Sequence, residues 1–214
     1  MNAATERSMV AGPAGAIECA LDRPAAGAIA TGTLALLCHP HPLHGGTMDN
    51  KVVQTVARAL VQLGCTTVRF NFRGVGASAG SWGEGLGEID DAAAVLAAHR
   101  HDGQALVLGG FSFGAYVATQ LAARLAHGSD SAALRLVLVA PAVVNFTAAP
   151  VPPDTVLIHG DRDDVVPLQA VLDWARPQHL PVAVLPGAGH FFHGQLPILK
   201  QTVLRAFAAP VPSP

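Results

Sequence analysis

Side chains able to carry acyl transfer stand at three places in this sequence: a serine between two glycines, a cluster of carboxylates, and a histidine near the carboxyl end. Gly110-Phe111-Ser112-Phe113-Gly114 fits the G-x-S-x-G pattern of a nucleophile elbow. An apolar run at 105–109 precedes it and an amphipathic stretch at 115–125 follows, so the serine falls on a turn from strand into helix. A turn that sharp leaves no room for side chains at the bracketing positions, hence the glycines. It lifts the hydroxyl above a helix N-terminus, where developing negative charge is favoured. Gly76-Ala77-Ser78-Ala79-Gly80 fits the same pattern, but the glycine-rich stretch after it is loop composition rather than a helix start. Context selects Ser112 over Ser78.

A serine hydroxyl is a poor nucleophile until a base takes its proton, and the base needs a carboxylate to hold its tautomer. His159-Gly160-Asp161-Arg162-Asp163-Asp164 supplies three acids after one apolar run, and His190 follows the last such run. The oxyanion needs two backbone donors, the first expected from Phe113. The second should come from the loop His39-Pro40-His41-Pro42-Leu43, where Pro40 and Pro42 have no N–H to give. His41 is therefore the expected donor, with Leu43 behind it.

The elements that must position these groups alternate. Residues 10–23 suggest a leading hairpin across Gly12-Pro13-Ala14-Gly15. Strands are expected at 34–38, 66–72, 105–109, 134–140, 155–158 and 182–185. Between and after them, helices are expected at 48–63, 89–100, 115–125, 167–175 and 195–208. The 89–100 helix carries Asp90 and Asp91 in its expected first turn, where acids complement the dipole. Strand–helix alternation implies an α/β class with a mostly parallel sheet, helices on both faces, and chemistry at the carboxyl ends of the strands. One domain over residues 1–214 is expected, with 1–9 and 210–214 frayed. Too few residues separate the strands at 134–140 and 155–158 to fold a lid.

Composition narrows the partners. The formal net charge is −2 with no lysine–arginine cluster, which gives no footprint for nucleic acid or an anionic membrane. No apolar run approaches the ~18 residues of a membrane-crossing helix, and residues 1–8 lack the apolar centre of a signal peptide. A cytoplasmic location is expected. Cys19, Cys38 and Cys65 are odd in number and spaced like neither a zinc site nor a redox pair, so they read as reduced and structural.

Five segments together resemble the α/β-hydrolase superfamily over nearly the whole chain, in particular the small lidless serine hydrolases related to dienelactone hydrolase and short-chain carboxylesterases. They are HPHPLHGGTMDNKVV at 39–53, FNFRGVGASAG at 70–80, GFSFGAY at 110–116, HGDRDDVVP at 159–167 and GAGHFFHG at 187–194. The resemblance implies an α/β-hydrolase fold without a lid domain. Its H-G-x-x-D-x-x-V-P frame puts the triad acid at Asp163 rather than Asp161 or Asp164, beside Ser112 and His190. The loop at His39 departs from the commoner His-Gly opening.

The expected activity is hydrolysis of a small-molecule carboxylic ester through an acyl-enzyme, with no cofactor and no metal. A thioesterase, a polyester or peptide hydrolase, and a non-catalytic binding module on the same fold are the alternatives. Trp82, Phe146, Phe191 and Phe192 are candidate pocket walls, with core packing the equal alternative for each phenylalanine. Arg73 reads as a tie between loops. Two competing readings are weak. Gly74-x-Gly76-x-x-Ala79 imitates a dinucleotide fingerprint but opens no helix, and His39, His41 and His44 lack a carboxylate to complete a metal site.

Overall fold

The computed structural model describes residues 5–25, 30–127 and 134–208. Along the chain lie β1 (Glu6–Gly12), β2 (Gly15–Asp22), β3 (Leu34–Cys38), α1 (Lys51–Gln62), β4 (Thr66–Phe70), α2 (Leu86–His99), β5 (Leu106–Phe111) and α3 (Phe113–Ala126). There follow β6 (Leu134–Val139), β7 (Val156–Gly160), α4 (Leu168–Ala175), β8 (Val182–Leu185) and α5 (Leu196–Ala208). The strands form one sheet in the order β1-β2-β4-β3-β5-β6-β7-β8. β1, β2 and β4 pair antiparallel, and every pairing from β4 through β3 to β8 is parallel.

The central strands read as unbroken apolar runs because both faces of the sheet are covered. Alternate residues go to opposite cores. Leu36, Leu108, Leu136, Leu138 and Leu157 face the side packed by α2, α3 and α4. Leu37, Val107, Val137, Val139 and Ile158 face the side packed by α1 and α5. The chain leaves β3 toward β4 on one side and leaves β5 toward β6 on the other. Their adjacent carboxyl ends thus form the topological switch point, where an open α/β sheet offers its crevice. Residues 140–155 join β6 to β7 without a helix or strand, so no lid is inserted there.

β4 ends at Phe70 rather than 72 and β5 runs on to Phe111 rather than 109, and three further expectations change. Residues 6–9 are not frayed: Glu6, Arg7, Ser8 and Met9 pair with Leu21, Ala20, Cys19 and Glu18, and Arg7 also bonds Asp49. Residues 1–4 and the tail 210–214 lie outside the described residues. The second helix starts at Leu86 rather than 89, because Gly85 turns at φ 87 and Glu88 reaches back to accept from the Gly83 and Gly85 amides. Asp90 and Asp91 consequently fall beyond the first turn. Finally, Pro167 precedes α4 as its N-cap instead of opening it.

Arg73 ties the loop after β4 to α2 rather than to another loop. Its Nε and Nη2 donate to the Asp91 carboxylate at 2.9 and 2.8 Å, and its own amide donates to the same group at 3.0 Å. The Asp91 side chain is fully buried, and that of Arg73 is 15 % exposed. Removing one member of a buried pair strands the other, so Asp91→Ala should lower unfolding free energy by about 3 kcal/mol in urea titrations. A loss within the ~0.5 kcal/mol typical of surface changes would show that this tie does not hold the loop after β4.

Candidate active site

Ser112 follows the last residue of β5 and precedes the first of α3, with φ 55 and ψ −117. The two glycines permit this. A Cβ on Gly110 would lie 2.2 Å from the Gly114 carbonyl carbon, and one on Gly114 would lie 2.2 Å from the Cys38 oxygen. The elbow is therefore pressed against the end of β3. His190 comes from the loop after β8 and Asp163 from the loop after β7, both buried. His190 Nε2 is 3.1 Å from Ser112 Oγ, and His190 Nδ1 is 2.7 Å from Asp163 Oδ2. A carboxylate only accepts, so Nδ1 carries the ring proton and Nε2 is free to accept from the serine hydroxyl.

Burial alone would raise the Asp163 pKa, but hydrogen bonds from His190 and from the Val166 and Val165 amides outweigh it and hold the carboxyl below its usual value. Asp161 does something else: its Oδ1 accepts the Gly187 amide and ties the β7 loop to the β8 loop. Ser78 is likewise structural. Its hydroxyl accepts from the Glu18 amide at 2.9 Å and donates to the Asn71 oxygen at 2.7 Å. The three cysteines are free and buried, and burial pushes the Cys19 thiol up to about 12 and raises Cys38 and Cys65. None of them is poised as a thiolate.

Phe113, as the first residue of α3, has no intrahelical acceptor for its N–H. Among the described residues the His41 amide has no hydrogen-bond acceptor within the chain. Leu43 differs, since its amide donates to His41 Nδ1 at 3.3 Å. The His41 and Phe113 rings touch at 5.1 Å between centroids, which brings the two residues with free amides side by side.

The candidate walls divide. Trp82 and Phe146 pack on the His41 ring at 4.6 and 6.0 Å, while Phe191 stands edge-on to His190 at 5.1 Å and is 47 % exposed. Phe192 is not a wall. It is fully buried in the core beneath α5, with Ala188, Leu199 and Val203, because a backbone φ of 52 turns its ring inward as Phe191 turns outward.

Residues 41–153 match the family model described as serine aminopeptidase, S33. The chain belongs to that family, within the α/β-hydrolases. It is also similar, at 38% identity and a TM-score of 0.87, to XC6422 from Xanthomonas campestris, described as an α/β serine hydrolase without a lid; 97% of this chain and 95% of that one are covered. An α/β serine hydrolase homologue from Coxiella burnetii is 40% identical with a TM-score of 0.80, covering 94% and 96% of the two chains. An uncharacterized protein, RP471 of Rickettsia prowazekii, is 35% identical over 85% of this chain and 79% of its own length. Among the described residues no helix of this hydrolase is long and apolar enough to cross a membrane.

Sequence reading takes His39 only as part of a weak metal motif. Its role is otherwise: the ring is fully buried, with Nδ1 2.7 Å from the Pro40 oxygen and Nε2 3.1 Å from the Phe72 amide. Neither nitrogen is left for a metal. The signal was a histidine directly following a fully apolar strand.

Burial pushes the His39 pKa from 6.5 down to about 4, although the bond to Pro40 works the other way. The folded pKa lies below the unfolded one, so the unfolded chain binds the extra proton between these values. This contribution to stability is complete above pH 6.5 and is lost as pH falls toward 4. Between those limits wild type should lose about 3 kcal/mol more unfolding free energy than His39→Asn, which cannot titrate there. Urea titrations at both pH limits test this, and parallel losses in the two proteins would contradict it.

Proposed function

We propose that this hydrolase cleaves carboxylic esters of small or exposed acyl groups through an acyl-enzyme on Ser112. The observation that carries the reading is the unbroken hydrogen-bonded series Ser112–His190–Asp163 beside the unengaged His41 and Phe113 amides. Ser112 Oγ attacks the carbonyl carbon as its proton passes to His190 Nε2. The carbonyl electrons move onto oxygen, where the Phe113 and His41 N–H groups receive them. Collapse expels the alcohol, protonated by His190. Water then attacks the acyl-enzyme, giving its proton to His190, and the acid leaves as that proton returns to Ser112 Oγ. Asp163 steadies the imidazolium throughout.

His190 protonates the leaving group, so the alcohol portion departs on the side of Phe191. The acyl portion then lies toward Trp82 and Phe146. With no lid above the site, short or solvent-exposed acyl groups fit better than long buried ones. The family's description names aminopeptidases, and recognition of a free amino terminus calls for an unengaged carboxylate beside the serine. Both Asp163 oxygens are already occupied, by His190 and by the Val165 and Val166 amides, and Asp161 binds Gly187, so neither of these two carboxylates is free to receive an amino group. The same reading has the protein act in the cytoplasm on a small molecule, without cofactor, metal, nucleic acid or membrane.

A fluorophosphonate probe should label wild type on Ser112 and leave Ser112→Ala unmodified. Aryl esters of increasing acyl length should be hydrolysed with falling kcat/KM, and thioesters and aminoacyl amides more slowly than the matched ester. Folded protein that is neither labelled nor active would leave a binding module as the better reading.

The oxyanion assignment makes a separate prediction. His41→Ala keeps the backbone donor and should retain most activity, whereas His41→Pro deletes it and should lower kcat by roughly 100- to 1,000-fold. Folding of the proline variant is checked by circular dichroism, since proline also restricts Pro40. Equal activity in the two variants would remove His41 from the site.

A further inference from the structure

The carbonyl of Pro40 and the amide of His41 belong to one peptide unit. The chain contains no cis peptide bond among the described residues, so in this planar unit C=O and N–H point in opposite directions. Such a unit can serve an oxyanion in one orientation only. If its plane turned over, the Pro40 oxygen would stand where the His41 hydrogen had been and would repel the developing charge. No regular element fixes the plane, because the unit lies between the end of β3 and the short 3-10 turn Pro42–His44.

The His39 side chain does fix it. Phe72 N–H can only donate, so His39 Nε2 must accept, and the one proton of the neutral ring sits on Nδ1. Nδ1–H can then only donate to the Pro40 oxygen, 2.7 Å away. The ring itself cannot swing, being fully buried and 4.5 Å from the Phe72 ring. Gly46 closes against the same unit: a Cβ there would lie 2.0 Å from the Pro40 oxygen, and its amide donates to the His41 oxygen. With the Pro40 oxygen drawn to the buried imidazole, the His41 N–H points away from that imidazole.

We propose that His39 is a positioning residue of the oxyanion site, locking the Pro40–His41 peptide in the orientation that presents the His41 amide to substrate. This rests on the assignment of His41 as donor. His39 touches no substrate; it acts through the plane of its neighbour's peptide bond, and the Phe72 amide selects the tautomer that makes it a donor.

Two variants separate the lock from simple packing. Asparagine carries an N–H close to where the imidazole holds Nδ1–H, so His39→Asn keeps the donor to Pro40 and should hold kcat within about threefold. Glutamine reaches the Nε2 position and can still accept from Phe72, but offers Pro40 nothing. His39→Gln should lower kcat by roughly 10- to 100-fold with KM little changed, the mark of an interaction made in the transition state. A packing role alone would instead scale both variants with their loss of stability in urea, and that result overturns the proposal.

In a His41→Pro background the lock has no amide left to orient, so adding His39→Gln should lower kcat no further. If His41→Pro lowers kcat and His39→Gln does not, the lock is wrong and the donor assignment stands. If His41→Pro leaves kcat unchanged, both fall. Nitrogen-15 NMR of wild type gives a test free of folding effects: the His39 ring should show the Nδ1–H tautomer, and the Nε2–H tautomer overturns the proposal.

Discussion

Ser112 has φ 55 and ψ −117, a backbone conformation that residues with a Cβ rarely adopt and that costs on the order of 1–3 kcal/mol. The surroundings hold it there. Its amide donates to the Val139 oxygen at 2.9 Å, and its carbonyl accepts from Ala115 and Ala142 at 3.0 and 3.2 Å. β5, β6, the loop after β6 and α3 are thus all bonded to one residue. The closeness of Gly110 to Gly114, and of Gly114 to the end of β3, follows from the same turn. It presses α3 onto the strand whose next loop carries His39 and His41. The His41 and Phe113 rings meet across this close contact.

Much of this was legible because it depends on local rules. Strands at 34–38 and 182–185 have the expected bounds, since both are apolar runs closed by proline or a loop of fixed chemistry. Serine, acid and histidine after β5, β7 and β8 imply a shared edge once the sheet is parallel, and the structure brings Ser112, Asp163 and His190 within hydrogen-bonding distance. What was not legible depends on direction. Asp161 and Asp163 are alike in type and lie two residues apart, so local chemistry cannot tell that one faces Gly187 and the other His190, and only the H-G-x-x-D-x-x-V-P frame of the resemblance separates them. Adjacent Phe191 and Phe192 are similar as residues, yet a positive φ sends one to solvent and one to the core. The start of α2 depended on Glu88 reaching back across a glycine loop that has no apolar period to betray it.

The aromatic groups join the elbow to the loop opposite. Phe113 is buried at the first position of α3, in ring contact with His41, Trp82, Tyr116 and Phe146. His41 in turn stacks on His44 at 4.5 Å. Burial lowers the His41 pKa, and His44 lowers it further. Its Nδ1 accepts from Leu43, which an uncharged ring with its proton on Nε2 allows. The side chain of His41 therefore shapes the loop while its backbone N–H remains unengaged. This explains how one residue can be both a wall neighbour and a candidate donor without the imidazole taking part in chemistry.

In the proposed mechanism Asp163 supports an imidazolium on His190, and a second cation beside it would share its charge. His159 lies within reach, with Nε2 3.6 Å from Asp163 Oδ2. Its Nε2 is 2.9 Å from the Val166 oxygen, an acceptor, so the ring proton points there rather than at the carboxylate. Burial lowers the His159 pKa despite that bond and despite Asp163, and the nearness of His190 lowers it again. A neutral His159 is the result. Its Nδ1 has no hydrogen-bond partner among the described residues, where a second ring proton would be buried without an acceptor. The fold thus gives Asp163 one hydrogen-bonded histidine, His190, and one whose ring proton is directed to a backbone carbonyl instead. The carboxylate's remaining capacity is filled by backbone amides at Val165 and Val166, which fix its position without competing for the proton.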